Sequence, residues 1–319
     1  MTLEISLGLW QDRPAAEALE TARLAGELDF PSVWIGEMAT YDAFALATAA
    51  GPLLPAGTRL VLGPFAVTVR DPMMIAMGAA SVAALTGRPV SVALGTSSTV
   101  VVEQWHGRSR ARAAQALEES ARAVRILIEG GKAEVPGDVV RTSGYRLRLP
   151  VPASELVVAA FGPQAVATAG RHADRMVLNL IDPPTAGELV DRLRSTAPDT
   201  RVAVWAPSAI GADLGAAYQQ LRRGIVGYLA APGYSDMFVR AGFGDVVAFA
   251  RTRPHPRELL AAVPDELVAA IGVIGDADAA AKRIAEYQAH GVDDVVLVPS
   301  AHDGDPAGRL TMTAAAGLR

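Results

Sequence analysis

The chain has no cysteine. That removes disulfides, thiolate metal ligands and a cysteine nucleophile together, and it fits a reducing, cytoplasmic compartment. Lysine is almost absent, and acidic residues outnumber basic ones by 34 to 29, for a formal net charge of −5. Without a basic excess there is no electrostatic footprint for nucleic acid. Long apolar runs are missing too. The richest stretch, Val151–Val166, is broken by Pro152, Glu155, Gly162 and Pro163, so nothing approaches the ~20 residues of a membrane span. Met1-Thr2-Leu3-Glu4-Ile5 offers no basic segment ahead of an apolar run, and no signal peptide is expected. The five histidines, His106, His172, His255, His290 and His302, are scattered without His-x-x-x-His spacing, and the one Glu-x-x-His run, Glu103 to His106, has no second histidine near it. No metal site is expected from them. A Gly-x-Ser-x-Gly elbow is also absent, and Ser97 and Ser98 have no local histidine–carboxylate pair, which argues against a serine hydrolase.

What remains is a chain with 50% hydrophobic and 20% charged residues, enough for a large core and too little charge for disorder. Short β-rich runs alternate with longer helical patterns from end to end, which predicts parallel βαβ units. The runs are Ile5–Trp10, Ser32–Glu37, Arg59–Val67, Pro89–Gly95, Glu155–Phe161, Arg175–Leu180, Arg201–Ala206 and Asp294–Val298. Most are apolar on both faces, as strands between two core layers should be. Eight of them predict an α/β fold closed as a (β/α)8 TIM barrel over a single domain, residues 1–319. A doubly wound open sheet is the alternative.

Helix signals fill the intervals. Pro14 stands near the start of Ala15–Leu28, and Asp71-Pro72 introduces Met73–Leu85, because proline is tolerated in a first helical turn. Arg108–Glu129 carries apolar residues at helical spacing and stops at Gly130-Gly131, a glycine C-terminal signal. Asp276–Gly291 forms the last helix. Lys132–Pro150, with turns at Pro136-Gly137-Asp138 and Ser143-Gly144, predicts a β-hairpin inserted after the fourth helix. Ala231–Pro264 predicts extra short helices and loops near the seventh unit.

In such a barrel the chemistry sits at the C-terminal ends of the strands. Those ends read Leu9-Trp10-Gln11-Asp12, Gly36-Glu37-Met38, Gly63-Pro64-Phe65-Ala66-Val67, Gly95-Thr96-Ser97-Ser98, Phe161-Gly162-Pro163-Gln164, Asn179 and Trp205-Ala206-Pro207. Aromatic and small polar residues on one rim suit a flat conjugated ring. Phe161-Gly162-Pro163-Gln164 is the candidate anion site: glycine lets a ligand approach the backbone, and the following helix offers free N–H groups at its positive end. An ordinary βα turn is the alternative. Glu37 reads equally as an acid, a base or one half of a salt bridge across the rim. His106, beside Trp105, is a further candidate, although a lone histidine more often packs or caps.

Four stretches carry a resemblance to a known family. They are Val33-Trp34-Ile35-Gly36-Glu37; Leu94-Gly95-Thr96-Ser97-Ser98 with Val102-Glu103-Gln104-Trp105-His106-Gly107-Arg108; Ala160-Phe161-Gly162-Pro163-Gln164 with Ala169-Gly170 and Ala173-Asp174-Arg175; and Gly275-Asp276-Ala277-Asp278 through Leu297-Val298-Pro299. In order and spacing the chain resembles the bacterial luciferase-like oxidoreductases, in the branch that depends on the deazaflavin coenzyme F420. The resemblance implies a TIM barrel with the hairpin insertion. It also implies a non-proline cis peptide within Phe65-Ala66-Val67, behind the coenzyme ring. By position, the backbone at Gly162, Pro163, Gln164 and Ala165 would hold the coenzyme phosphate, and Gly95, Thr96 and Ser97 would line the ring or its ribityl chain. Trp10, Met38, Trp105 and Trp205, with Phe65, would border the substrate. Relatives often place a histidine or another polar group where this chain has Met38, which leaves Glu37, Glu103 and His106 as catalytic candidates. The function implied is hydride transfer between F420 and a small organic substrate, by a cytoplasmic protein that dimerises. An FMN-dependent monooxygenase is the alternative within the fold, and a non-catalytic flavin-binding protein the alternative outside catalysis.

Overall fold

The computed structural model describes residues 1–37, 39–211 and 213–319. Eight strands form its centre: β1 Thr2–Ser6, β2 Ser32–Ile35, β3 Arg59–Ala66, β4 Val90–Gly95, β5 Leu156–Ala159, β6 Arg175–Asn179, β7 Arg201–Ile210 and β8 Asp294–Pro299. Each pairs in parallel with the next. β1 then returns to β8, with Leu3 opposite Val295 and Ile5 opposite Leu297. The sheet is therefore a closed parallel barrel, not an open sheet.

The two-residue period of the strands divides their side chains between two cores. Leu60, Leu62, Val92, Leu94, Leu156, Val158, Met176 and Leu178 belong to the large core between barrel and helices. The alternate residues Trp34, Val61, Ala93, Val157, Val177, Ala203 and Val296 cluster with one another, as the filling of the ring. The surrounding helices are α1 Glu17–Glu27, α2 Ala43–Ala50, α3 Pro72–Thr86, α4 Ala113–Ile128, α5 Pro163–His172, α6 Pro183–Arg194, α7 Leu214–Val226 and two more, Ala277–Ala289 before β8 and Arg309–Ala316 after it. α3 starts where its sequence signals put it: the Asp71 carboxylate accepts the Met73 N–H and Pro72 occupies the first turn, a position where its missing N–H costs nothing.

Ionic groups fill the barrel's N-terminal end. Arg175 donates to both oxygens of Glu4 at 3.1 Å and to Glu155 at 2.8 Å, and lies 3.5 Å from Asp294. Arg201 holds Asp294 at 2.6 and 2.7 Å. Above them Trp34 donates its indole N–H to Glu4, with the Arg175 guanidinium 5.6 Å from its ring. Burial pushes the Asp294 carboxyl up from its ordinary range.

Two insertions depart from the repeat. The predicted hairpin is present after α4, Ala133–Pro136 antiparallel to Arg141–Tyr145. Between α7 and the helix Ala277–Ala289, short helices Tyr234–Arg240, Gly244–Arg251, Pro256–Ala262 and Asp265–Ile271 share a second core with α7 through Leu221, Ile225, Phe238, Val247 and Leu267. Most strand limits lie within two residues of expectation, and two strands depart further. β1 ends at Ser6, not Trp10, because the chain turns at Leu9, whose φ is +49°. β7 continues past Pro207 to Ile210, where a short strand, Val273–Gly275, joins its edge. Among the described residues no helix is long and apolar enough to cross a membrane.

Candidate functional site

At the C-terminal end the ring loses its filling. Gly36, Ala159, Asn179 and Val298, near or at the ends of four strands, and Trp205, midway along β7 and level with Asn179, are half-buried where the residue just before each is buried. Most of these side chains are small, and together they mark the mouth of the barrel. Trp205 forms part of its floor. Its ring stands edge-on to Trp34, with centroids 5.6 Å apart and planes at 79°. It lies against Gly36, where an added Cβ would come 3.5 Å from the ring. The indole N–H of Trp205 is buried with no hydrogen-bond partner.

One wall is the end of β3. Gly63 has a φ of +108°, and a Cβ there would meet the Ala93 carbonyl oxygen at 2.4 Å; only glycine fits. The pairing with β4 shifts register across Leu62–Phe65. The cis peptide expected within Phe65-Ala66-Val67 is corrected here: among the described residues the cis bond is Gly63–Pro64. Proline supplies the tertiary amide for which the cis form is accessible. Phe65 is fully buried and stacks on Phe44, while Ala66 is half-buried at the rim and Val67 is buried.

The adjoining wall is the end of β4. Gly95 is buried, with Pro64 and Ala159 close around it. The Thr96 hydroxyl accepts from Arg110 at 3.2 Å. Ser97 is exposed and takes a left-handed turn, with φ +57°. The π-helical turn Val100–Trp105 follows. There Glu103 accepts the backbone N–H of Arg110 at 3.2 Å, Trp105 is 51% exposed, and His106 is exposed.

β5 leads into the anion-site candidate. Gly162 is the N-cap of α5, Pro163 opens the helix, and no side chain caps it. A Cβ on Gly162 would meet nothing within 4 Å. Gly162, Pro163 and Gln164 are exposed and Ala165 is half-buried. Proline has no N–H to lose, so the uncapped donors are the backbone N–H groups of Gly162, Gln164 and Ala165. They face open space at the positive end of a ten-residue helix, a ready site for phosphate. Beside this turn, on its outer side, is a cleft of about 470 Å³ lined by Arg112, Gln115, Glu118, Gln164, Thr168 and Arg171 among others. Glu118 ties its walls together, accepting from Arg171 and Thr168 and meeting the His172 ring at 2.6 Å. Despite partial burial, these partners draw its carboxyl down to about 2.

The remaining candidates are already engaged. Glu37 receives Arg70 in a bidentate pair, 2.6 Å at each oxygen, and accepts the Ala43 N–H at 3.2 Å. Arg70 also holds Asp42 and lies over the rings of Phe44 and Phe65. Glu37 thus makes the salt bridge at the rim. Trp10 donates its indole N–H to the Pro299 carbonyl at 3.0 Å and packs its ring toward Gly224 of α7. The hollow beside it holds about 20 Å³, room for a water and no more. Met38 lies outside the described residues.

Sequence reasoning missed the group at the opposite side of the mouth. Asn179, at the end of β6, donates to the hydroxyl of Tyr234 at 3.1 Å. The Tyr234 ring packs between Phe161 and Tyr228, each 4.7 Å away between centroids. Tyr234 lies 55 residues beyond Asn179, inside the stretch read as irregular, and no local pattern links the two. The aromatic residues within Tyr228–Phe243 were the available signal.

Comparison with known proteins gives a consistent result. The model of the luciferase-like monooxygenase family matches residues 3–294. A Mycobacterium tuberculosis protein, assigned by name to the coenzyme F420-dependent oxidoreductases, is 25% identical over 93% of this chain and 94% of its own. Among solved structures, an F420-dependent secondary alcohol dehydrogenase in complex with an F420–acetone adduct aligns with a TM-score of 0.81 at 18% identity, covering 100% of this chain and 99% of its own. A type II Baeyer–Villiger monooxygenase from Pseudomonas putida, the oxygenating part of 3,6-diketocamphane monooxygenase in complex with FMN, aligns at 0.72 with 15% identity, over 99% and 96%.

Proposed function

Since the chain belongs to the luciferase-like monooxygenase family, we propose that it is an F420-dependent oxidoreductase acting on a small organic substrate. The observation that carries this reading is the exposed, uncapped N-terminus of α5 at Gly162, beside a mouth lined mainly by small residues. A phosphate and a flat ring fit that pair of features. Bound there, the deazaflavin supplies two-electron hydride chemistry. The chain's own groups bind and orient it. The backbone N–H groups of Gly162, Gln164 and Ala165 hold the phosphate, Pro163 fixes the turn, and Gly95, Thr96, Ser97, Phe65, Ala66 and Val67 border the ring. Trp205 closes the floor against water, which strengthens every polar contact above it.

Little acid–base work is asked of the protein. Of the three candidates for a proton, Glu37 is neutralised by Arg70, while Glu103 and His106 stand at the rim beside the Thr96 loop. The name of the Mycobacterium tuberculosis relative and the alcohol dehydrogenase neighbour favour F420. The FMN-bound neighbour supports an FMN-dependent monooxygenase as the second reading. The proposal extends to a cytoplasmic homodimer, for which exposed Leu53, Met74, Met77 and Leu85 on and near α3 provide apolar surface. Its test is the mass in solution by light scattering.

Separate titrations of the purified protein with F420 and with FMN, read by tryptophan quenching, test the coenzyme assignment. Tighter binding of F420 by tenfold or more is expected. A preference for FMN overturns it. Turnover of any substrate with reduced coenzyme excludes a purely binding role.

A further inference from the structure

The turn that presents Gly162 is not held by its own strand alone. Phe161, the residue just before it, packs against Tyr234 with centroids 4.7 Å apart and planes at 59°. Tyr234 opens the first helix of the insertion between α7 and the helix Ala277–Ala289. The residue before it, Gly233, has a φ of +87°, and a Cβ there would lie 3.9 Å from the Phe161 Cβ. The backbone of the insertion therefore runs directly against the turn. Tyr234 is fixed from two further sides: Tyr228 packs against it with planes tilted at 55°, and Asn179 of β6 donates to its hydroxyl. Phe238 closes the group at 6.5 Å. Burial pushes the Tyr234 phenol well above its usual range, so it stays neutral at any pH of interest.

Apart from Pro163 on its helix side, the Phe161–Gly162 turn has little of its own to hold it. Its glycine touches nothing through a side chain, its helix has no cap, and the three residues that follow Phe161 are exposed. Glycine carries the largest conformational freedom of any residue. Backbone donors serve an anion only when they are already aimed. Aromatic pairs of this geometry contribute orientation beyond the area they bury.

We propose that Tyr234 is a positioning residue for the anion site: the insertion, through the Tyr234–Phe161 contact braced on Asn179, holds the Gly162 turn in the geometry that binds the coenzyme phosphate. This rests on the phosphate reading above. The insertion thereby governs coenzyme affinity from more than seventy residues away in sequence, without touching the phosphate.

The test isolates the phosphate. FMN and riboflavin share a ring and differ by that group, as do F420 and its dephosphorylated, tail-free form F0, apart from the tail. The measured quantity is the ratio of the two Kd values, unphosphorylated over phosphorylated, for the full-length chain. In the wild type this ratio is expected to be tenfold or more for whichever pair binds. Tyr234→Leu is expected to cut it at least fivefold, while the Kd of the unphosphorylated member stays within twofold. Tyr234→Phe keeps the ring and loses only the Asn179 brace, and is expected to give a ratio between those of Tyr234→Leu and wild type, nearer to wild type. Phe161→Leu, which breaks the same contact from the other side, is expected to reproduce the loss, and the double variant to add little. It also covers the case in which Tyr234→Leu does not fold. A Tyr234→Leu or Phe161→Leu protein that keeps the wild-type ratio overturns the coupling and leaves the phosphate site standing, as does an equal loss for both members of a pair. A wild type with a ratio near one overturns both.

Discussion

Replacing Arg175 with methionine removes the centre of the ionic group that fills the closed end of the barrel. The Arg175 side chain is 3% exposed, that of Glu4 is 4% and that of Asp294 is 0%. Deleting one partner of such a set leaves buried charge uncompensated, which costs about 3–5 kcal/mol. The lower end applies, because Asp294 keeps Arg201 and Glu4 keeps the indole N–H of Trp34. With an unfolding entropy of roughly 2.1 cal/mol/K per residue over a chain of this length, each kcal/mol moves Tm by about 1.5 °C. A fall of about 4–5 °C at pH 8 is expected. The pH dependence is the sharper half of the prediction. Burial raises the Asp294 carboxyl, and the Arg175 charge is the largest influence opposing it. Without Arg175 the folded-state value rises further above the unfolded one. A group shifted that way contributes stability that is present below its unfolded pKa of about 4 and lost as pH rises through the folded value. The deficit of the variant should therefore be small near pH 4.5 and full at pH 8, by thermal melting followed with circular dichroism. Coenzyme affinity, set at the other end of the barrel, should stay within twofold. Equal deficits at the two pH values, or a fall below about 1 °C at pH 8, would show that the charge reasoning is wrong.

Gly162→Asp should raise or leave unchanged the Tm, since aspartate caps a helix a few tenths of a kcal/mol better than glycine and the added side chain meets no neighbour. It should weaken coenzyme binding at least tenfold in a fluorescence titration, because its carboxylate competes for the same N–H groups. Trp205→Phe should abolish most of the tryptophan quenching caused by the coenzyme, whereas Trp105→Phe, at an exposed rim position, should remove less of it. Glu118→Gln should cost about 1–2 kcal/mol at pH 7 through loss of charge-assisted hydrogen bonds to Arg171 and Thr168. Because the Glu118 carboxyl is drawn down to about 2 from 4.5, its contribution is complete above 4.5 and fades as pH falls toward 2. The wild type and variant melting temperatures should converge over that interval in urea-assisted melts.

The fold was legible because its signals are local. A strand sandwiched between two cores must be apolar on both faces, and all eight such runs became barrel strands. Pro136-Gly137 and Ser143-Gly144 likewise marked the hairpin. Limits failed where apolarity outlasted the strand, as at Leu7–Trp10, or where proline looked like a stop and was not: Pro207 stands beside Val298 in the ladder. Most of the mouth was legible for the same reason, since strand ends follow from strands. Roles were not. The guanidinium that neutralises Glu37 comes from Arg70, 33 residues on, and the tyrosine that braces Asn179 lies 55 residues on. Composition and spacing along the chain carry no record of such contacts.

Pairing Leu3 with Val295 also sets an order of events during synthesis. The first strand of the barrel to be made can meet β2 early, but its other edge waits for residues made about 290 positions later. At roughly 5–20 residues per second that is some 15–60 s, during which an apolar strand edge stays unpaired. The barrel thus has a defined window of vulnerability to misassembly, and it closes only with its final strand.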